Sequence, residues 1–189
     1  GYADRFDEKY DFVRSVRKGK YKYIRNYQPF NVDGLYNFYR YKMLAYKEWY
    51  SLYNQGKLNN VQSQFFKTKS SEALYNISND PYEIQNLAED VNHQKKLEEM
   101  RDELENHLNS TNDLSFLPEP YFVANGLVDV EDFSKNHKKL IKRLRNISNL
   151  VFYDYDDVSK KIQNALNDPN PWVRYWGLII CSSFGIEAI

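Results

Sequence analysis

Apolar and polar residues alternate along the first stretch of the chain. Phe12, Val13 and Val16 precede a Lys18-Gly19 turn, and Tyr21, Tyr23 and Ile24 follow it. This pattern predicts a β-hairpin in which glycine supplies the positive φ of the turn. A lone hairpin is marginal in water, so at least one more strand and a covering helix are required. Glu72-Ala73-Leu74-Tyr75-Asn76-Ile77 supplies the strand, stopped by the turn-forming Ser78-Asn79-Asp80-Pro81.

Elsewhere the spacing becomes helical. The Tyr-rich residues 35–56 predict a helix from about Tyr41 to Tyr53, closed by Gln55-Gly56. With Asp90 or Asn92 as N-cap, Leu97, Met100, Leu104 and Leu108 form an apolar stripe, with Glu98, Glu99, Arg101, Asp102, Glu103 and Glu105 mostly on the other face. That stripe is expected to pack on the sheet.

Pro118-Glu119-Pro120 marks a boundary, because two prolines remove donors and disfavour helix before them. Beyond it, residues 134–150 carry Leu140, Ile141, Leu144, Ile147 and Leu150, and residues 155–166 carry Val158, Ile162, Ala165 and Leu166. Both read as amphipathic helices. A third helix starts with Asn170 as N-cap and Pro171 in the first turn. From Trp172 to Phe184 its only charge is Arg174, and apolar residues surround it. Such a helix is expected to be covered on every side, and nothing after it supplies the cover. The chain therefore reads as a fragment of a helical array whose repeats bury one another's faces. The expected fold is α+β: a small antiparallel β-sheet with covering helices over residues 1–120, then a helical hairpin segment over residues 121–189.

Composition narrows the function classes. Lys plus Arg and Asp plus Glu number 26 each among 189 residues, giving a formal net charge of zero. No whole-molecule field draws the chain to nucleic acid or to an anionic membrane, and neither is an expected partner. The 17 Tyr, 11 Phe and 3 Trp suit both thin cores and carbohydrate-facing surfaces. A single cysteine, Cys181, excludes an intrachain disulfide and a Cys-based zinc site. No run of 18 apolar residues occurs, and Gly1-Tyr2-Ala3-Asp4-Arg5 is not a signal peptide.

With the segments placed, two blocks carry a resemblance. Asp4-Arg5-Phe6-Asp7-Glu8-Lys9-Tyr10-Asp11-Phe12-Val13-Arg14-Ser15-Val16-Arg17, continued by Gly19-Lys20-Tyr21-Lys22-Tyr23-Ile24-Arg25-Asn26, resembles the start of the C-terminal subdomain of type I, formylglycine-dependent sulfatases. Glu72-Ala73-Leu74-Tyr75-Asn76, with Asn79-Asp80-Pro81-Tyr82-Glu83 and Asn86-Leu87-Ala88, is similar to the E-L-Y-D and D-P-x-E-x-x-N-L-A signature that closes those enzymes. The nearest group is the heparan N-sulfatase-like and related bacterial glycosaminoglycan sulfatases. Residues 155–184 resemble a HEAT-type helical pair, with Asp168-Pro169 and Val173-Arg174 at matching positions and Gly177 where alanine is usual.

The resemblance implies an alkaline-phosphatase-like hydrolase of sulfate esters or N-sulfates on a glycan, exported to the periplasm or beyond. It implies a cysteine in a C-x-P-S-R context, oxidised to formylglycine, and an Asp/Asn cluster holding calcium. Neither motif occurs in this chain. Cys181 lies in Ile180-Cys181-Ser182-Ser183-Phe184 and reads as a buried structural thiol. No catalytic, metal-binding or cofactor residue is expected here. The expected partners are the sulfatase catalytic domain of the same parent protein and a sulfated glycan. In the family, residues 4–8 enter the small subdomain beside the catalytic cleft, so Asp4, Arg5 and Glu8 are the candidate substrate contacts. The alternative for them is an exposed, charged lead-in.

Other constellations read more plainly. Arg14, Arg17, Lys18, Lys20, Lys22 and Arg25 are most simply solvent-facing hairpin residues, although a sulfated glycan is itself a polyanion and contact with one stays open. Lys135, Lys138, Lys139, Lys142, Arg143 and Arg145 form a basic run that reads as the solvated face of a helix. His93, His107 and His137 lack a second ligand at metal spacing. Trp172, Tyr175 and Trp176 read as core before sugar platform. The leading expectation is thus an accessory part of a sulfatase. The rival is an autonomous module that binds a polyanion or a protein through its basic hairpin or its Trp-bearing helix.

Overall fold

The structure is a computed structural model. It describes residues 1–6 and 9–188, with the backbone alone for residues 2–6 and 9. The fold is α+β, as the hydrophobic pattern implies. Among the described residues four antiparallel strands lie in chain order: β1 (Tyr2–Phe6), β2 (Lys9–Lys18), β3 (Tyr21–Asn26) and β4 (Glu72–Asn76). The helices are α1 (Leu44–Asn54), α2 (Asn60–Ser63), α3 (Gln94–Thr111), α4 (Glu119–Gly126), α5 (Val130–Ser148), α6 (Tyr155–Leu166) and α7 (Pro171–Phe184). Two compact units, residues 1–101 and 102–189, divide inside α3. Pro120 lies in the first turn of α4, where its missing N–H costs nothing.

In the first unit the β2–β3 turn contains Gly19 at φ +59°, as the hairpin requires. Register pairs Val16 with Tyr23, Arg14 with Arg25, Tyr23 with Leu74 and Arg25 with Glu72. Side chains alternate across a sheet, so all of these share one face. Phe12, Tyr23 and Leu74 on that face are buried, as are Leu97 and Met100 of α3. Arg101 of α3 clasps Glu72 through both of its oxygens. Each fully buried Leu or Phe contributes about 1.5–3 kcal/mol.

Two sequence expectations change here. Residues 2–6 are not merely a charged lead-in, because their backbone forms β1 against β2. The hairpin's cations do not all face water either, since Arg14 and Arg25 are 5% and 2% exposed. Their guanidiniums lie over the rings of Phe12 and Tyr27, at 4.2 and 4.8 Å, and Arg25 donates to the carbonyl of Ser71 at 2.9 Å. Long cationic side chains can be buried this way when a ring and carbonyls take the place of water.

The second unit is helical. Asp129 caps α5 by accepting from the amide of Asp132 at 2.9 Å, so that helix begins four residues before the expected 134. α4 has no counterpart in the expected elements. α6 and α7 pack through Leu150, Val158, Ile162 and Ile180, flanked by Ile147, Leu166 and Phe184. Asn170 caps α7 by accepting from Trp172 and Val173. The expectation that α7 lacks cover is corrected: Val173, Trp176, Gly177, Ile179 and Ile180 are buried within this chain, while Leu178 remains 60% exposed. Trp176 donates to the carbonyl of Phe116 at 2.8 Å, so it is core, as is the Trp172 ring against Tyr121 at 4.8 Å in part.

Candidate functional site

The face of the sheet away from α3 is not flat. Between β3 and β4 the chain makes a long excursion, residues 27–71, that folds back over this face. Its neck is stitched: Asn26 donates through its side chain to Ser70 and through its amide to Ser71, and Lys69 donates to Pro29. A bridge between Val32 and Thr68 closes the same region. Beyond the neck, rings from α1 and the turn after α2 pack on one another. Trp49 stacks on Phe65 with centroids 4.5 Å apart, and Tyr53 on Phe66 at 4.7 Å.

The result is a cleft of about 790 Å³ within the first unit. Val13, Ile24, Ala73 and Tyr75 of the sheet form its floor, Trp49, Phe65 and Arg40 stand on one side, and Tyr82 and Glu83 on another. Tyr82 is 83% exposed. Aromatic side chains alternating with amides and charges suit a sugar, whose C–H faces stack on rings while its hydroxyls seek polar partners.

Charges in the cleft are arranged in pairs. Lys69 is clamped by Asp11, with Asp33 3.5 Å away, and the Lys69 and Asp11 side chains are only 15% and 12% exposed. Lys22 holds both oxygens of Glu83, at 2.7 and 2.8 Å. Burial, then Glu83, Asp80 and Asp33, push the Tyr75 phenol above its usual range and keep it a neutral donor. Arg40 differs: its guanidinium lies 5.5 Å from the Tyr46 ring and 5.6 Å from the Phe65 ring and donates to the backbone carbonyl of Asp33 at 2.8 Å.

The Asn79–Ala88 block has a structural explanation. Asp80 accepts from the amide of Gln85 at 2.8 Å and Glu83 pairs with Lys22. Asn86 accepts from the amides of Leu74 and Ala88 and donates to the carbonyl of Glu72, tying the loop to the edge of β4. Leu87 and Ala88 are then buried. This block shapes one wall of the cleft and holds it to the sheet.

The residues singled out from sequence as substrate contacts are Asp4, Arg5 and Glu8. Asp4 and Arg5 lie in β1, where only the backbone is described, and Glu8 lies outside the described residues. Of the residues missed from sequence, Arg40 and Trp49 come from the segment read there only as Tyr-rich and helical, Phe65 and Lys69 from residues 57–71, to which no element was assigned, and Tyr82 from the closing motif. Among the described residues no three His, Cys, Asp or Glu side chains are placed to hold a metal ion. Cys181 sits half-buried near the end of α7, its thiol pushed up by burial.

Two of the histidines make local side-chain contacts. His93 bonds Asp90 at 2.8 Å, and His137 stacks on Phe133 at 3.9 Å. On α5, Lys135 pairs with Glu131, Arg143 with Asp168, and Arg145 is buried beside Glu105. Half of the basic run is therefore engaged within the second unit. Among the described residues no helix is long and apolar enough to cross a membrane.

No protein-family model matches the chain. Over 118 residues it is 42% identical to the "Ulvan-active sulfatase" of Formosa agariphila, a match that covers 62% of this chain and 20% of that protein. The chain is therefore related to a sulfatase, and it spans about a fifth of that relative's length.

Proposed function

We propose that this chain is an accessory part of a sulfatase acting on a sulfated glycan, ulvan being the first candidate, and that the cleft between the sheet and the 27–71 excursion holds part of the glycan chain. The observation that carries the reading is the 42% identity to an ulvan-active sulfatase. The cleft supports it, because its rings, amides and paired charges suit a sugar better than an extended polyanion track. In this reading residues 1–120 are the C-terminal subdomain of a sulfatase of the heparan N-sulfatase-like group, and α6–α7 a HEAT-type pair. The catalytic groups, a formylglycine and calcium, would come from a catalytic domain of the same exported parent protein. Asp4, Arg5 and Glu8 remain candidate contacts to the substrate in that parent.

Calorimetric titration of the chain with ulvan oligosaccharides tests this, alongside an assay for released sulfate. The expected result is saturable binding in the micromolar to millimolar range, with no sulfate released. Sulfate release above a buffer blank overturns the accessory role, and absence of binding overturns the glycan reading.

The rival reading, a polyanion-binding module built on the basic hairpin, loses support from the burial of Arg14 and Arg25.

A further inference from the structure

We propose that Arg40 anchors an anionic substituent, sulfate or carboxylate, of a sugar held in this cleft. The inference rests on the glycan reading above and adds to it the group that selects the ligand.

The cleft's other cations are spoken for or exposed to water. Lys69 is held between Asp11 and Asp33, and Lys22 is committed to Glu83. Lys67 lines the cleft as an exposed side chain on a flexible stem. An ammonium of that kind is strongly hydrated and gives up rotamer freedom on binding. Arg40 has neither drawback. Among the described residues no carboxylate lies within ion-pair distance of its guanidinium, which donates to the carbonyl of Asp33 and is flanked by the rings of Tyr46 and Phe65. Its backbone amide is fixed as well, donating to Oδ1 of Asn37 at 2.8 Å.

A guanidinium carries five N–H donors, and one carbonyl satisfies only part of them. Flanking rings and a carbonyl hold the planar fork in place without neutralising it. This geometry takes an oxyanion through two parallel hydrogen bonds, and the pre-set orientation lowers the entropy lost on binding. Trp49, stacked on Phe65, offers the adjoining surface for the sugar ring. The carboxylate of Asp33, whose backbone carbonyl holds Arg40, lies 3.5 Å from Lys69, which limits its repulsion of the ligand.

The test compares intact chain, R40Q and R40K for binding of ulvan oligosaccharides, followed by calorimetry, with thermal unfolding confirming that each variant is folded. R40Q is expected to bind about tenfold more weakly, as the loss of a charge-assisted contact requires, and R40K about threefold more weakly because charge remains while the fork is lost. Repeating the series with chemically desulfated oligosaccharide, and with oligosaccharide whose carboxylates have been reduced, identifies the oxyanion. The gap between intact chain and R40Q should close in one of these two arms. If R40Q binds the sulfated ligand as the intact chain does, or if the gap persists in both arms, the anchor is overturned while the glycan reading stands. If the intact chain binds none of the ligands, both fall.

Discussion

Glu72 on β4 and Arg101 on α3 form a two-pronged ion pair, with Nε of Arg101 2.8 Å from one carboxylate oxygen and its terminal nitrogen on the other. The oxygen that faces Nε also accepts the phenol of Tyr23 at 2.9 Å. Three elements thus meet at one carboxylate that is only 13% exposed. Replacing Glu72 by Gln keeps the shape and removes the charge, so E72Q is expected to cost about 1–2 kcal/mol, the charged hydrogen bond being discounted for the partly exposed arginine. Urea unfolding followed by circular dichroism measures it. A change below about 0.3 kcal/mol would mean that the pair contributes nothing to holding α3 on the sheet.

Tyr23 gives the same junction a pH signature. Burial first, and then the charge of Glu72, push its phenol far above its usual value. The folded protein therefore keeps a proton that the unfolded chain releases. The stabilising contribution is complete below the ordinary tyrosine pKa of about 10 and is lost as pH rises beyond it toward the folded value. The intact chain should lose stability above pH 10 more steeply than Y23F, which starts lower by about 1 kcal/mol at neutral pH. Urea midpoints between pH 7 and pH 11 decide the matter, and parallel curves for the two proteins would contradict it.

Glu83 sits at φ +54°, in the left-handed region that costs a side chain-bearing residue about 1–2 kcal/mol. Its pair with Lys22, both partners about 30% exposed, returns about 0.5–1 kcal/mol. Glycine removes the strain and the pair together, whereas alanine removes only the pair. E83G is thus expected to be near neutral and E83A destabilised by up to about 1 kcal/mol. The order of their thermal midpoints is the readout, with E83A above E83G as the opposing result.

Gly177 lets α6 and α7 approach closely. A Cβ there would lie 3.2 Å from Cδ2 of Leu166 and 3.3 Å from the Cβ of Ala165 and the backbone nitrogen of Leu166. Alanine gains about 1 kcal/mol of helix propensity and spends much of it on that crowding, so G177A should be close to neutral. Valine cannot be accommodated by a shift of a few tenths of an ångström, and G177V should lose about 2 kcal/mol or more. Differential scanning calorimetry separates the two, and equal unfolding temperatures would show that the helices are not in close contact.

Much of the fold was legible because its signals are local. Gly19 fixed the hairpin turn, Asn170-Pro171 the start of α7, and the spacing of Val158, Ile162 and Ala165 the span of α6. β1 was not legible, since Tyr2–Phe6 carries charges where a strand pattern would alternate, and its pairing with β2 is a tertiary choice. The burial of Arg14 and Arg25 was invisible for a related reason: alternation puts them on the same face as Phe12 and Tyr23, and only the rings and carbonyls around them explain why charges are tolerated there. The cleft was hardest to foresee. Its walls come from residues 33–70 folding across the sheet and from the Tyr82–Asn86 loop, segments far apart in sequence whose meeting no periodicity encodes. The closing motif was recognisable, but its work, with Asn86 bridging Leu74, Ala88 and Glu72, belongs to three-dimensional pairing.

The central claim, a glycan held in the cleft of the first unit, is tested most directly by mapping where an ulvan oligosaccharide touches the chain. In a titration followed by two-dimensional amide and Trp-indole NMR, the shifts should concentrate on Arg40, Trp49, Phe65, Lys69 and Tyr82, with residues 130–184 unmoved. Shifts confined to the lysines of α5, or spread evenly over exposed cations, would contradict it.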